Sequence, residues 1–413
     1  MMFENTVEIE KALLVSLDTG EYDAEVSIAE LEQLALTAGV EVAGVIEQKR
    51  PSVDKATCVG SGKLEEIKAF AEAEELDLLI FDRELSPTQI RNIEAGTGIR
   101  TVDRTMLILD IFAARARSKE GKLQVELAQL NYMLPRLTGK GIALSRQGAG
   151  IGTRGPGESK LETDRRHIHR RIDAIKEQLA EVEKHRRELH RRREKDGVQI
   201  VALVGYTNAG KSTLMNTLTG AGVLAEDMLF ATLDPTARAL ALPDGKSVML
   251  VDTVGFIRRL PHHLVRAFRS TLEEAAEADV VLNICDISSP ESAEHLKVTN
   301  ELLEKLGASG ERVISVLNQC DKLEGERPLA IGASVCISAK TGQGLEDLLL
   351  KIQQTLPPSR VRLSLLIPYS SGSLTAEIRA TGLVHSEVFN ENGTLIDATV
   401  RIEDLHKYEM YTT

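Results

Sequence analysis

The residues best placed to do chemistry form the run Gly205-Tyr206-Thr207-Asn208-Ala209-Gly210-Lys211-Ser212, which fits the phosphate-loop pattern G-x-x-x-x-G-K-[ST]. It directly follows the apolar run IVALVG and precedes the helix-like run STLMNTLTG. That context is what the chemistry needs. Gly205 and Gly210 let the backbone curl until its N–H groups face phosphate oxygens, and the start of a helix adds positive potential. Lys211 would then reach the β- and γ-phosphates, and the Ser212 hydroxyl would serve as a ligand for Mg2+.

Three shorter runs extend the set, each after a further strand-like segment. Asp252-Thr253-Val254-Gly255 follows SVMLVD, placing Asp252 near the Mg2+ and the Gly255 N–H toward the γ-phosphate. Asn318-Gln319-Cys320-Asp321 follows RVISVLN. The Asp321 carboxylate can accept two hydrogen bonds from guanine N1 and N2, which adenine cannot supply. Ser338-Ala339-Lys340 follows SVCI and would close the base pocket. Any one of these runs is common by chance. Their order, each at the end of a successive strand, points to GTP as substrate.

The elements that must position these groups are legible from hydropathy. VQIVALVG, SVMLVD, DVVLNICD and RVISVLN are nearly continuous apolar runs, as central parallel strands are. Pro357-Pro358 ends that unit. Upstream, residues 8–103 alternate strand-like and helix-like runs and predict a small parallel α/β domain. Its first helix has Ser27 as N-cap, Glu30 three residues on and Gly39 as stop. Gly60-Ser61-Gly62-Lys63 opens another helix. It lacks the phosphate-loop pattern and reads as a helix start. Downstream, the tail pairs the strand-like VRLSLLIPYS with a short helix near LTAEIRATG and a hairpin whose type I′ turn is Asn392-Gly393. The fold class is therefore α/β and multidomain. It comprises an N-terminal α/β domain over 1–115, a helical hairpin over 116–196, a P-loop domain over 197–357 and a small α/β C-terminal domain over 358–413.

The hairpin differs in kind. Leu123, Leu127, Leu130, Leu134 and Leu137 form one heptad seam, and Leu161, Ile168, Ile172, Ile175, Leu179, Val182 and Leu189 form another. Between them, residues 138–159 form a glycine-rich, basic loop of a length that usually serves function. From Arg115 to Lys195 there are 21 Lys/Arg against 11 Asp/Glu, within a chain of net charge −12, so the rest carries −22. A basic block in an acidic protein suits a polyanion. Arg136, Lys140, Arg146 and Arg154 lie in or beside the loop; Arg165, Arg166, Arg170, Arg171, Arg191, Arg192 and Arg193 could follow an RNA backbone. A solvated charged helix surface is the plainer reading. His167, His169, His185 and His190 share that helix without a carboxylate cage, which disfavours a metal site.

Composition sets the limits. Four scattered cysteines with no C-x-x-C spacing fit a reducing compartment. No apolar run approaches the length of a membrane span, and the start has no signal-peptide character. With no Trp and 3% aromatics, the cores must be aliphatic.

Three stretches resemble a known family. FATLDPT, residues 230–236, resembles switch I of the Obg–HflX superfamily of translation-factor-type P-loop GTPases. GTRGPGESKLETDRR, residues 152–166, closely resembles the HflX signature, and the tail PYSSGSLTAEIRATGLVHSEVFNENG also looks like HflX. The resemblance covers nearly the whole chain. It implies that Thr232 supplies a second hydroxyl to Mg2+ and that Phe230, Ala231, Leu233 and Asp234 flank the nucleotide. Lys211, Thr232 and Gly255 are then the catalytic set. It further implies a cytoplasmic monomer that binds the large ribosomal subunit and its RNA and splits stalled ribosomes. Such a protein has no DNA partner and no membrane span. Peripheral membrane association and ATP use by the N-terminal part stay open.

Two positions depart from common GTPase patterns. Gln319 stands where N-K-x-D has lysine, whose stem normally lies along the base, so affinity is expected to fall while Asn318 and Asp321 keep the guanine preference. Phe256 stands where Ras-like enzymes carry the water-orienting glutamine; the superfamily resemblance implies this apolar residue. Slow intrinsic turnover, raised by a partner, is expected. The same two positions keep open a competing reading, a constitutive RNA-binding module with a purely structural nucleotide site.

Overall fold

A computed structural model describes residues 9–139, 156–195, 197–220, 229–230, 236–259, 277–308, 310–323, 334–358 and 360–412. The N-terminal part contains β1 (Lys11–Asp18), α1 (Ala24–Thr37), β2 (Glu41–Lys49), α2 (Ser61–Ala73), β3 (Leu78–Phe81), α3 (Pro87–Thr97), β4 (Arg100–Asp103) and α4 (Arg104–Arg115). All strand pairs are parallel, in the order β2-β1-β3-β4. Central β1 is buried on both faces, and its alternation divides the core: Ala12 and Leu14 join one cluster, Leu13, Val15 and Leu17 the other. On α1, Leu31 and Leu34 are fully buried against the first cluster, worth about 2 kcal/mol each in area removed from water. The N-cap of α1 is Asp23, which accepts from the Val26 N–H at 3.3 Å, and not Ser27. Ser27 lies one turn inside the helix, where its hydroxyl donates to Asp82 at 2.5 Å.

The hairpin pairs α5 (Lys119–Met133) with α6 (Pro156–Lys195). Leu123, Ile172 and Ile175 are buried in the seam, while Leu127, Leu130, Ile168, Leu179 and Val182 are half-buried. Of the glycine-rich loop expected over 138–159, residues 140–155, with Lys140, Arg146 and Arg154, lie outside the described residues, while 138–139 end a 3-10 helix over Leu134–Gly139 and 156–159 already belong to α6.

The P-loop domain is a six-stranded sheet in the order β10-β9-β8-β5-β7-β6. Its strands are β5 (Ile200–Gly205), β6 (Thr236–Ala241), β7 (Ser247–Asp252), β8 (Val280–Asp286), β9 (Val313–Asn318) and β10 (Val335–Cys336); its helices are α7 (Lys211–Thr219), α8 (Ser292–Lys305) and α9 (Leu345–Thr355). β6 is an antiparallel edge strand on β7 that hydropathy does not reveal, because it buries only Leu240. The C-terminal unit is antiparallel: β11 (Arg360–Ile367), β12 (Leu383–Asn390) and β13 (Gly393–Arg401), ordered β11-β13-β12, with α10 (Gly372–Thr381) packed on it. The β12–β13 turn is centred on Glu391-Asn392 rather than Asn392-Gly393. Neither central residue has positive φ, so the turn is not type I′, and Gly393 at φ 147° pairs with Asn390 as the first residue of β13. Among the described residues no helix is long and apolar enough to cross a membrane.

Candidate active site

The parallel strands of the P-loop sheet deliver their polar groups at one edge, the C-terminal ends where open α/β sheets bind ligands. β5 runs into the phosphate loop and α7 begins at Lys211, with Gly210 as its cap at φ 89°. A Cβ on Gly205 would lie 2.1 Å from the Ile284 carbonyl oxygen, and one on Gly210 would lie 2.3 Å from Asn318 Nδ2. Both positions therefore exclude any other residue, on packing as well as on φ. Lys211 is buried inside the loop it serves, its Nζ donating to the carbonyls of Gly205 at 3.1 Å and Tyr206 at 2.7 Å. Burial pushes its ammonium down to about 8, against the pull of Asp252. The Ser212 hydroxyl donates to Asp252 Oδ2 at 3.0 Å.

The base end is tied together by Asn318. Its Nδ2 donates to the Ala209 carbonyl at 2.9 Å, and its Oδ1 accepts from the Ala339 N–H at 2.9 Å. One buried carboxamide thus joins the phosphate loop to the Ser338-Ala339-Lys340 turn. Asp321 is exposed, and a hydrogen bond from Ser338 holds its carboxyl below the usual carboxylate range. Gln319 has the left-handed φ of 65°, and its Oε1 is buried without a partner. The Cys320 thiol is turned back to the Leu317 carbonyl at 3.2 Å. Asn208, Gly210, Gln319, Asp321, Ser338 and Lys340 line an open cleft of about 360 Å³.

At the opposite end, the segment after β7 lies across the phosphate loop. The Phe256 N–H donates to the Gly205 carbonyl at 3.0 Å, and the Thr207 N–H donates to the Phe256 carbonyl at 2.7 Å. A Cβ on Gly255 would sit 2.8 Å from Thr207 Cγ2 and 2.9 Å from Lys211 Nζ, so only glycine lets this segment approach so closely. The Thr253 hydroxyl is committed to the Leu203 carbonyl at 2.7 Å, leaving only its backbone for a ligand. Phe256 is buried among Val204, Val251, Ala278 and Val281.

This end is also where the N-terminal domain takes hold. Tyr206 points away from the cleft; its hydroxyl donates to Glu30 at 2.7 Å and its ring stacks on His295 at 3.9 Å. Burial and the Glu30 carboxylate hold the tyrosine in its neutral form. Burial and Arg258 push His295 below its usual range. Arg259 pairs with Asp82 at 2.7 Å, reaches the Ser27 hydroxyl and lies over the Tyr22 ring. Arg104, 3% exposed, pairs with Asp82 at 3.0 Å and with Glu30, and donates to the Arg258 carbonyl at 3.3 Å. Burial opposes its charge, but Glu30 and Asp82 outweigh that penalty and hold the guanidinium above its usual range. Around this polar lock, Leu229, Phe230, Val254 and Ile257 join the N-terminal core, with Phe230 edge-on to Phe112 at 4.6 Å. Ala231, Thr232, Leu233 and Asp234 lie outside the described residues.

Sequence reasoning missed Glu30, Asp82, Arg104, Arg258 and Arg259 as site-facing groups. One signal was available: Asp82 and Arg104 fall just past the ends of β3 and β4, where parallel sheets expose functional groups. Of the basic candidates, Arg165, Arg166, Arg170, Arg191 and Arg192 are exposed on α6. Arg136 and Arg171 are spoken for. Arg136 stacks 3.3 Å over the Tyr132 ring and donates to the Tyr132 and Leu85 carbonyls, and Arg171 makes a bidentate pair with Glu126 at 2.6 and 2.7 Å.

Family models described as GTP-binding GTPase N-terminal, GTP-binding GTPase Middle Region and 50S ribosome-binding GTPase match residues 25–113, 115–193 and 200–319. Curated proteins named GTPase HflX align over most of both chains. The one from Caldanaerobacter subterraneus subsp. tengcongensis is 52% identical, covering 95% of this chain and 92% of its own. That from Alkalihalophilus pseudofirmus is 49% identical over 93% and 92%, and that from Escherichia coli 41% over 95% and 94%.

Proposed function

The chain belongs to the HflX family of GTPases and hydrolyses GTP, and from that premise we propose that it acts on the large ribosomal subunit, splitting or recycling stalled ribosomes. The observation that carries the partner is the set of exposed arginines on α6, Arg165, Arg166, Arg170, Arg191 and Arg192, in a chain that is otherwise acidic. Guanidinium groups suit the phosphate backbone of ribosomal RNA. The match to a model described as a 50S ribosome-binding GTPase supports the same reading.

In the pocket, Asp321 and the Ala339 turn select guanine, and the phosphate-loop amides and Lys211 hold the β- and γ-phosphates. A half-buried Ser212 hydroxyl and a buried Asp252 carboxylate, 3.0 Å apart, are the hard oxygen donors that would hold Mg2+, with Thr232 as the second hydroxyl. Mg2+ neutralises charge on the phosphates when bound. Gly255 gives its N–H to the γ-phosphate. Since Phe256 is buried in the sheet, its side chain orients no water, and turnover waits on a partner that orders the segments around the γ-phosphate. The GTPase kinship sets aside a purely structural nucleotide site.

The test is sucrose-gradient sedimentation of ribosomes with this protein and a non-hydrolysable GTP analogue, GDP or no nucleotide. The expected result is co-sedimentation with the large subunit, and conversion of whole ribosomes to subunits, with the analogue alone. Identical profiles in all three states would sink the proposal. Charge reversal at Arg165 and Arg166 is expected to abolish co-sedimentation and spare GDP binding.

A further inference from the structure

We infer that the Thr207 hydroxyl orients the attacking water, the task that glutamine performs in GTPases with a polar residue after the switch glycine. Hydrolysis needs a group for this, and Phe256 cannot provide it, because its ring is buried in the sheet core. Among the described residues, the neighbouring polar side chains are mostly occupied. Ser212 donates to Asp252, Thr253 to Leu203, Tyr206 to Glu30, and both ends of Asn318 are used. Gln319 is at the guanine end, and Asn208 is exposed. Thr207 is different. It is 7% exposed, and its Oγ1 is buried with no hydrogen-bond partner. A buried hydroxyl left unpaired is costly and calls for a partner, which a bound ligand or water can supply.

Its position suits the task. The point where a Gly255 Cβ would sit is 2.8 Å from Thr207 Cγ2 and 2.9 Å from Lys211 Nζ. The threonine side chain therefore faces the same small volume as the ammonium that grips the γ-phosphate. One rotamer step about Cα–Cβ exchanges methyl for hydroxyl at that point. The Thr207 backbone is pinned by its bond to Phe256, so the side chain is aimed by a fixed main chain. In the reaction, the water oxygen bonds to the γ-phosphorus while the bond from that phosphorus to the bridging oxygen breaks. The electron pair leaves with GDP, and the water's protons end on inorganic phosphate and in solvent. Threonine is too weak a base to take a proton, so its part is orientation. A lone pair accepts a hydrogen bond from the water while its own O–H donates one to a phosphate oxygen, with no proton leaving the threonine.

The inference rests on reading this pocket as the GTP site, so the full-length chain is tested for both binding and hydrolysis. Thr207→Val keeps shape and removes the hydroxyl; Thr207→Ser keeps the hydroxyl. The expected result for Thr207→Val is single-turnover hydrolysis slower by about 100-fold, with GDP affinity within about threefold of the parent. Binding of GDP with aluminium fluoride, which mimics the transferring phosphate and its in-line water, is lost. Thr207→Ser stays within about threefold of the parent rate. A parental rate in Thr207→Val overturns the inference. So does a loss of GDP affinity in step with rate, which marks a structural residue, or a Thr207→Ser as slow as Thr207→Val. Should Thr207→Val not fold, Thr207→Ala gives the same reading. Failure of the parent itself to bind GDP would instead fault the assignment of the pocket.

Discussion

The two ends of the nucleotide pocket are built differently. The guanine end is made within one domain: β5, β9 and β10 bring Ala209, Asn318 and Ala339 together, and one carboxamide locks them. The γ-phosphate end is shared. The Tyr206 and Arg259 side chains and the Arg258 backbone N–H end on Glu30, Asp82 and Ser27 of the N-terminal domain, and Phe230, Val254 and Ile257 pack in its core. On the proposed reading, recognition of the base needs only the P-loop domain, whereas the segments beside the γ-phosphate are held by a neighbour. A GDP-sized ligand meets a prepared site; a third phosphate must work against, or with, the interdomain lock.

The largest expected effect comes from breaking the lock at its centre. Arg104→Met leaves half-buried Glu30 without its cation and fully buried Asp82 with Arg259 alone, a loss of about 3 kcal/mol of folding stability. Urea denaturation measures it, and GDP affinity at low denaturant should stay within about threefold of the parent, because the guanine end does not touch the lock. A large fall in GDP affinity would erase the distinction between the ends. Next in size, Asp321→Asn removes the carboxylate that accepts two base hydrogen bonds, and GDP affinity should fall about 100-fold by fluorescence titration. Single-turnover hydrolysis at saturating GTP should hardly change; a slowed rate would show that the base end steers the chemistry.

The smallest effect concerns Lys211, which stands between the ends. Its ammonium is pushed down to about 8 by burial. Bound phosphates favour the charged form, so the complex keeps its proton to higher pH than the empty site. Below pH 8 both states are protonated and affinity is flat. Above it, binding must take up a proton, and affinity should fall by up to about tenfold per pH unit. Titrations of GDP between pH 7 and 9.5 test this; a flat profile would mean that the empty loop already holds the charge.

What could be read from the sequence follows from how local each constraint is. Gly205 and Gly210 announce themselves because two close approaches admit no side chain, and the central strands do so because burial on both faces leaves no polar alternation. Asn318 was found as part of a four-residue motif, but its role as a brace between Ala209 and Ala339 spans 109 and 21 residues and has no local signature. The lock was invisible for the same reason. Glu30, Asp82 and Arg104 look like surface charges until a partner 154 to 228 residues away is folded beside them. Ser27 was misread because the pattern Ser-x-x-Glu satisfies the helix-start rule, while Asp23, one turn earlier, takes the cap and frees Ser27 to face Asp82. Arg136 looked like part of a basic loop because charge says nothing of the Tyr132 ring beneath it.

The edge-on contact of Phe230 with Phe112 also has a bearing on synthesis. The chain is made from its N-terminus, and domains fold as units in that order. The four-stranded sheet and α4 can be complete before the phosphate loop has left the exit tunnel. Leu229, Phe230, Val254 and Ile257 then emerge into the presence of a finished apolar surface, and the P-loop domain assembles against a template. The N-terminal domain is in that sense the cradle in which the catalytic domain is born, before it becomes the hand that holds it.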